Sequence, residues 1–180
     1  MKSREELTQA LKNYQTQFKE ELEFVAQFHE LILSPRCFYR DHLPGHITAS
    51  AWIVDETITS ALLIHHAKLN KWLQPGGHAD GDENILQVAT REVHEETGLR
   101  DLSFLKPGIF DLDIHPIPER KGFPEHLHYD IRFAFRASRQ APLKISDESS
   151  DLKWISLQEI PSITKQNTSI LRMIEKTLRK

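Results

Sequence analysis

The sequence contains a single cysteine, Cys37, in 180 residues, so no intrachain disulfide can form, and a reducing compartment fits that usage. Long apolar runs are missing as well. The stretch ALLI at 61–64 is among the longest, far short of the roughly 20 residues that cross a bilayer. The opening residues MKSREELTQALKNYQ are charged from Lys2 and lack the apolar centre of a signal segment. A cytoplasmic protein with no membrane association is the expectation. Neither sign of charge dominates, with 23 basic and 26 acidic residues and a net charge of -3. That balance gives no reason to expect a nucleic-acid surface, although a nucleotide needs only a local basic group or a metal. There is no internal repeat and no low-complexity tract. What is present is a 39% apolar, 27% charged chain, long enough for one ordinary domain with a real core.

Residues 3–33 have helical periodicity, with Leu7, Leu11, Tyr14, Phe18, Leu22, Val25 and Ile32 on the apolar positions. Ser3 with Glu6 forms a capping-box pattern, Ser34-Pro35 ends the segment, and a break near 15–19 would divide it into two helices. Residues 1–35 therefore read as a helical extension that covers part of the core, with a homodimer contact or a substrate lid as alternatives. Residues 36–180 read as the main domain. CFYRDHLPGH (37–46) is expected to be a linker with a turn at Pro44-Gly45. ITASAWIVD and TITSALLIHH follow as two β-branched strands that would pair as a hairpin around Asp55-Glu56. KWLQPGGHADGDE then reads as a short apolar piece and a loop, and a helix begins near Asn84.

Beyond Gly98, LSFL, GIFDLDIH and HYDIRFAFRAS read as strands. In the last of these Tyr129, Ile131, Phe133 and Phe135 share one face, and His128, Asp130, Arg132 and Arg136 share the other. DLKWIS is a further short strand. NTSILRMIEKTLRK closes the chain as an amphipathic helix, capped by Asn167 or Thr168, with Ile170, Leu171, Ile174 and Leu178 inward. Strands in the middle with helices around them predict an α/β fold with a mixed sheet between helices.

The helix over 84–97 has an unusual feature. Ile85, Leu86, Val88, Ala89 and Val93 form its apolar stripe, and Glu92, Glu95 and Glu96 project into or beside the same sector. Glu92 is three and four residues from Glu95 and Glu96, spacings at which like charges repel by a few tenths of a kcal/mol, and by more where water is excluded. A hard divalent cation resolves that conflict, since Mg²⁺ and its relatives prefer oxygen ligands and carboxylates on adjacent turns can share them. A solvated Glu-rich helix end is the plain alternative for the six residues REVHEE taken alone.

The surroundings favour the metal. Gly77, five residues, Glu83, seven residues, Arg91-Glu92-Val93, one residue, Glu95-Glu96, one residue and Gly98-Leu99 reproduce a spaced signature. This stretch resembles the signature of the Nudix hydrolases at every fixed position, and the strand order over 46–180 resembles their α/β/α sandwich. The resemblance implies cleavage of a pyrophosphate bond in a nucleoside diphosphate linked to another moiety, with Mg²⁺ or Mn²⁺ as cofactor and a small nucleotide-type molecule as substrate. It implies that Glu95 and Glu96 are the principal metal ligands and that Glu92 ligates metal or positions water. It further implies that Glu83 and Arg91 support the helix, that the backbone of Gly77 turns at the metal, and that Gly98 ends the helix, a role that helix-capping rules give independently. Removal of damaged triphosphates, or non-catalytic nucleotide sensing, are the alternative activities.

Several residues outside this signature are candidates. The resemblance implies a general base on a late loop, where Glu148, before the tryptophan-containing strand, is the candidate, with Asp147, Asp151 and Glu92 competing and a solvated turn residue as the plain alternative. Of the ten histidines, His78 beside Gly77 and His128 on the alternating strand are candidates for substrate contact, while His65, His66 and His94 read as ordinary. One cysteine and scattered histidines do not give the paired spacing of a structural zinc site. Trp52, Trp72, Tyr129 and Phe123 could stack on a base, but packing is the better expectation for each.

Overall fold

A computed structural model describes residues 1–120 and 122–179. Among these residues the helices are α1 (Arg4–Lys12), α2 (Lys19–Leu31), α3 (Ile85–Thr97), α4 (Ile160–Ile163) and α5 (Thr168–Leu178). The strands are β1 (Gly45–Val54), β2 (Ser60–His66), β3 (Lys71–Leu73), β4 (Gly76–His78), β5 (Ser103–Ile117), β6 (His126–Arg136) and β7 (Ser149–Ser156). Strand neighbours follow the order β3-β2-β1-β6-β5, with β4 on β1 and β7 on β2. The class is α/β, a mixed sheet with flanking helices. No helix among the described residues is long and apolar enough to cross a membrane. The chain divides into two compact units, one of Met1–Ser50, Gly76–Ala89 and Gly108–Phe133, the other of Ala51–Pro75, Thr90–Pro107 and the residues from Ala134 on.

In the first unit the expected break separates α1 from α2. Ser3 caps α1 by accepting from the Glu6 N–H at 3.4 Å, while the Glu6 carboxylate accepts from Lys2, one residue before the cap. Leu7 and Leu11 are fully buried, as their spacing predicts. Helix α2 differs from expectation: Leu22 is 57% exposed and Glu21 is buried. Glu21 decides the orientation. Its carboxylate accepts from the Tyr14 hydroxyl at 2.5 Å, from the Thr16 hydroxyl, and from the Leu112 N–H at 3.0 Å. A buried carboxylate with that many donors is satisfied, and the helix turns Leu22 outward to keep them. Phe28 packs edge-on against Tyr129 with ring centroids 5.3 Å apart.

The expected linker is shorter than 37–46, because β1 starts at Gly45 and takes in His46. GGH, expected in a loop, instead forms β4, with Thr48 opposite His78, Ala49 opposite Gly77 and Ser50 opposite Gly76. Glycine permits this pairing: a Cβ at Gly76 would lie 2.4 Å from the Ser50 Cβ.

In the second unit β2 is the central strand, antiparallel to β1, β3 and β7. The β1–β2 turn is built on Asp55, whose carboxylate accepts from the N–H groups of Thr59 and Ser60 and the hydroxyls of Thr57 and Thr59. Trp52 is fully buried and its indole N–H donates to the Thr177 hydroxyl of α5 at 2.9 Å. Asn167 caps α5 through the Ile170 N–H. Ile170, Met173 and Ile174 are buried as a stripe, but Leu178, expected inward, is 63% exposed because it lies at the last residue of the helix. LSFL and GIFDLDIH form one 15-residue strand, β5, that continues through Pro107-Gly108.

Candidate active site

Helix α3 starts where its sequence says it should. Asp82 accepts from the Asn84 N–H at 2.8 Å, and the Asn84 side chain accepts from the Gln87 N–H at 3.3 Å. Ile85, Val88 and Ala89 are buried within the first unit. In the second unit Val93, Thr97 and Leu99 are buried, and the Thr97 hydroxyl donates to the Val93 carbonyl at 2.7 Å. Gly98 has φ +76 and its N–H donates to the His94 carbonyl at 3.1 Å, a left-handed C-terminal cap that other residues adopt only with strain.

The three carboxylates on the second half of this helix have different surroundings. Glu96 is buried, the Glu92 side chain is 15% exposed, and that of Glu95 is 62% exposed. Arg91 sits between two of them, donating to Glu92 at 2.8 Å and lying 3.9 Å from Glu95. One guanidinium therefore offsets part of the like-charge repulsion that the spacing creates. An all-oxygen donor set on adjacent turns, partly withdrawn from water, suits a hard divalent cation.

Glu83 and Gly77 belong to the first unit. Glu83 is held by Arg4, through the backbone N–H at 3.1 Å and the guanidinium at 3.0–3.1 Å. No local pattern signals this partner, because Arg4 belongs to the N-terminal extension. Gly77 lies on β4 opposite Ala49. Glu148 is exposed immediately before β7, and its carbonyl accepts the Ala67 N–H at 3.1 Å. Trp72 is engaged in packing, edge-on to His65 and under Lys153.

A second group of polar residues forms in the first unit. Alternate positions place His46, Thr48 and Ser50 of β1, His126, His128, Asp130 and Arg132 of β6, and Asp111, Asp113 and His115 of β5 on one face of each strand. Thr48 and Ser50 donate to Asp130. Arg132, almost fully buried, donates to Asp130 at 2.8 Å, Asp113 at 2.9 Å and Asp111 at 3.2 Å. Against the cost of burial, these three carboxylates keep its guanidinium charged. At the other end, the rings of His46, His78 and His128 lie with centroids 4.9–5.2 Å apart. Burial pulls the His46 pKa down to about 4, helped by His78 and His126, and only in part opposed by the His42 carbonyl. Burial and the neighbouring histidines pull that of His128 to about 2. Both rings are therefore neutral at physiological pH.

The sequence pointed to His78 and His128 but not to His46. The signal was the two-residue alternation on β1, which matched that on β6. His46 lies at the end of the stretch that reads as a linker, which masks that alternation.

A model of the NUDIX domain matches residues 44–176, and the chain belongs to the Nudix family. Phosphatase NudJ of Escherichia coli strain K12 is 30% identical over 118 residues, which cover 64% of this chain and 65% of that protein. The chain thus spans 65% of the length of the curated relatives it matches. Among solved structures, a hydrolase of the NUDIX family from Clostridium perfringens is 25% identical with a TM-score of 0.55, covering 73% of this chain and 95% of its own. A Caenorhabditis elegans Ap4A hydrolase in a binary complex is 20% identical with a TM-score of 0.59, covering 72% and 93%, a likeness of fold.

Proposed function

We propose that this chain hydrolyses a phosphoric anhydride bond in a nucleoside diphosphate linked to another group, with Mg²⁺ or Mn²⁺ as cofactor. The observation that carries the reading is the carboxylate arrangement on α3, with Glu96 buried and Glu92 largely so beside the exposed Glu95. Like charges at these helical spacings repel, Arg91 offsets part of that repulsion for two of them, and a hard divalent cation would offset more. Glu92, Glu95 and Glu96 would hold the ion. The bound metal supplies charge neutralisation and Lewis acidity for adjacent phosphates.

The remaining roles fall to the chain itself. Arg91 keeps Glu92 oriented through their 2.8 Å hydrogen bond, and Glu83, anchored by Arg4, fixes the start of α3. Glu148, exposed and ahead of β7, takes the proton from the attacking water. The substrate is a small nucleotide-type molecule. The name of one relative, a phosphatase, supports a phosphorylated substrate.

The test is a hydrolysis screen over deoxynucleoside triphosphates, nucleoside diphosphate sugars, ADP-ribose and dinucleoside polyphosphates, with and without Mg²⁺, identifying both products. Mg²⁺-dependent release of a nucleoside monophosphate from a diphosphate-linked compound is the expected result. Preference for triphosphates would assign triphosphate clearance instead. Nucleotide binding with no product under any metal would make the chain a sensor.

A further inference from the structure

We propose that His46, His78 and His128 form a nitrogen-ligand site for a divalent transition metal of the Zn²⁺ class, in the first unit and distinct in chemistry from the carboxylates of α3. One ligand atom from each residue lies within 4.8 Å of the others. A Zn–N bond of about 2.0–2.1 Å places tetrahedral ligands roughly 3.4 Å apart, so side-chain shifts of about 1 Å would close the set. Register favours it, because His78 is the cross-strand partner of Thr48, two residues from His46 on the same face of β1. Each histidine also comes from a different strand, β1, β4 and β6, so backbone pairing and not a flexible loop holds the ligands.

The orientation of the lone pairs supports the same conclusion. His46 is 1% exposed, and its Nε2 has no hydrogen-bond partner among the described residues. Its Nδ1 lies 3.4 Å from the His42 carbonyl, an acceptor, so the proton resides on Nδ1 and Nε2 presents a lone pair. A carbonyl on the far nitrogen is the usual support of a metal-bound imidazole. His128 Nε2 is likewise buried without a hydrogen-bond partner among the described residues. Two buried ring nitrogens without partners in one cluster are costly in a folded protein, and a cation bound by both as neutral imidazoles satisfies them.

The surroundings suit a positive charge. His115 packs on His128 with ring centroids 5.5 Å apart, and its Nδ1 lies 3.0 Å from Asp113. Asp113 belongs to the group of three carboxylates that share the Arg132 guanidinium. Three imidazoles leave a fourth tetrahedral position open to water or to a phosphate oxygen. The contact with substrate expected of His78 and His128 would then run through that position.

The probe is Co²⁺ alone, added to metal-free full-length protein and followed by its visible d–d absorption, with Zn²⁺ as competitor. The expected result is one equivalent of Co²⁺ giving the intense spectrum of tetrahedral nitrogen coordination, displaced by Zn²⁺ and unaffected by Glu96→Gln. His46→Gln and His128→Gln should each weaken Co²⁺ binding by about 100-fold or more, beyond what loss of an outer partner does. The half-buried His78→Gln provides a variant less exposed to folding failure, and circular dichroism on each variant verifies the fold. An octahedral Co²⁺ spectrum, a spectrum unchanged in a folded His78→Gln protein, or a spectrum lost in Glu96→Gln would each overturn the assignment.

Discussion

Arg4 and Glu83, 79 residues apart, are joined by three contacts: the Arg4 backbone N–H reaches one carboxylate oxygen at 3.1 Å, and its guanidinium reaches the other at 3.0–3.1 Å. The same guanidinium donates to the carbonyls of Ile32, Ser34 and Pro35 and lies 5.0 Å over the Phe38 ring. One side chain thus ties α1, the end of α2 and a glutamate of the Nudix signature together. Arg4→Ala should destabilise the protein by about 1–3 kcal/mol, since a planar fork with several charge-assisted bonds is lost. Arg4→Lys should recover little, because an ammonium cannot make the same forked contacts. Urea unfolding of the three proteins measures both effects. Equal midpoints for wild type and Arg4→Ala would show the contact to be dispensable.

The buried arginine of β6 makes a larger difference. Arg132 serves Asp111, Asp113 and Asp130 at 2.8–3.2 Å with almost no solvent access. Arg132→Met strands those carboxylates and should cost about 3–5 kcal/mol, the range for breaking a buried ion pair from one side. Pairing it with Asp130→Asn should return part of that loss. Non-additive unfolding free energies in this double-mutant cycle are the expected outcome.

Stability should fall with acid before carboxylates titrate. His46 ionises at about 4 in the folded protein and near 6.5 when unfolded, so the unfolded chain binds the extra proton first. The contribution is complete above about pH 6.5 and is lost as pH falls towards 4, amounting to on the order of 3 kcal/mol for this side chain. His128, depressed further, acts in the same direction over the same upper window. Unfolding midpoints measured from pH 8 to pH 5 should decline, and a folded His46→Gln variant should decline less.

Glu148→Gln tests the base. If this carboxylate accepts the proton of the attacking water, kcat should drop by about 10²–10⁴-fold and the acid limb of the pH–rate profile should disappear, with the Mg²⁺ dependence unchanged. A profile that keeps its acid limb would assign the role to another residue.

Much of this was readable from periodicity and spacing. The α3 stripe, its start near Asn84 and its glycine stop at Gly98 are local signals, and local hydrogen bonds realise them. The spacing of the glutamates is likewise local, and the proposed metal site rests on it. The exceptions are positions where distant residues decide. Glu21 turned α2 around because donors arrive from Tyr14, Thr16 and Leu112. GGH became a strand because Ser50 accepts only a glycine beside it. The burial of the polar face of β6 depends on Arg132, which neutralises carboxylates brought from β5 as well as β6. The histidine cluster needed three strands in register, and a one-dimensional sequence does not display that register.

The most direct test of the central claim is the steady-state rate of Glu96→Gln and Glu95→Gln against the substrate found by the screen, at saturating Mg²⁺. Each exchange keeps size and helix propensity while removing the charge that holds metal. A loss of kcat of about 100-fold or more is expected in both variants, in the range for removing one preorganised electrostatic group, with unfolding midpoints near wild type. A rate within a few-fold of wild type in either folded variant would contradict the assignment of the α3 carboxylates as the metal cradle.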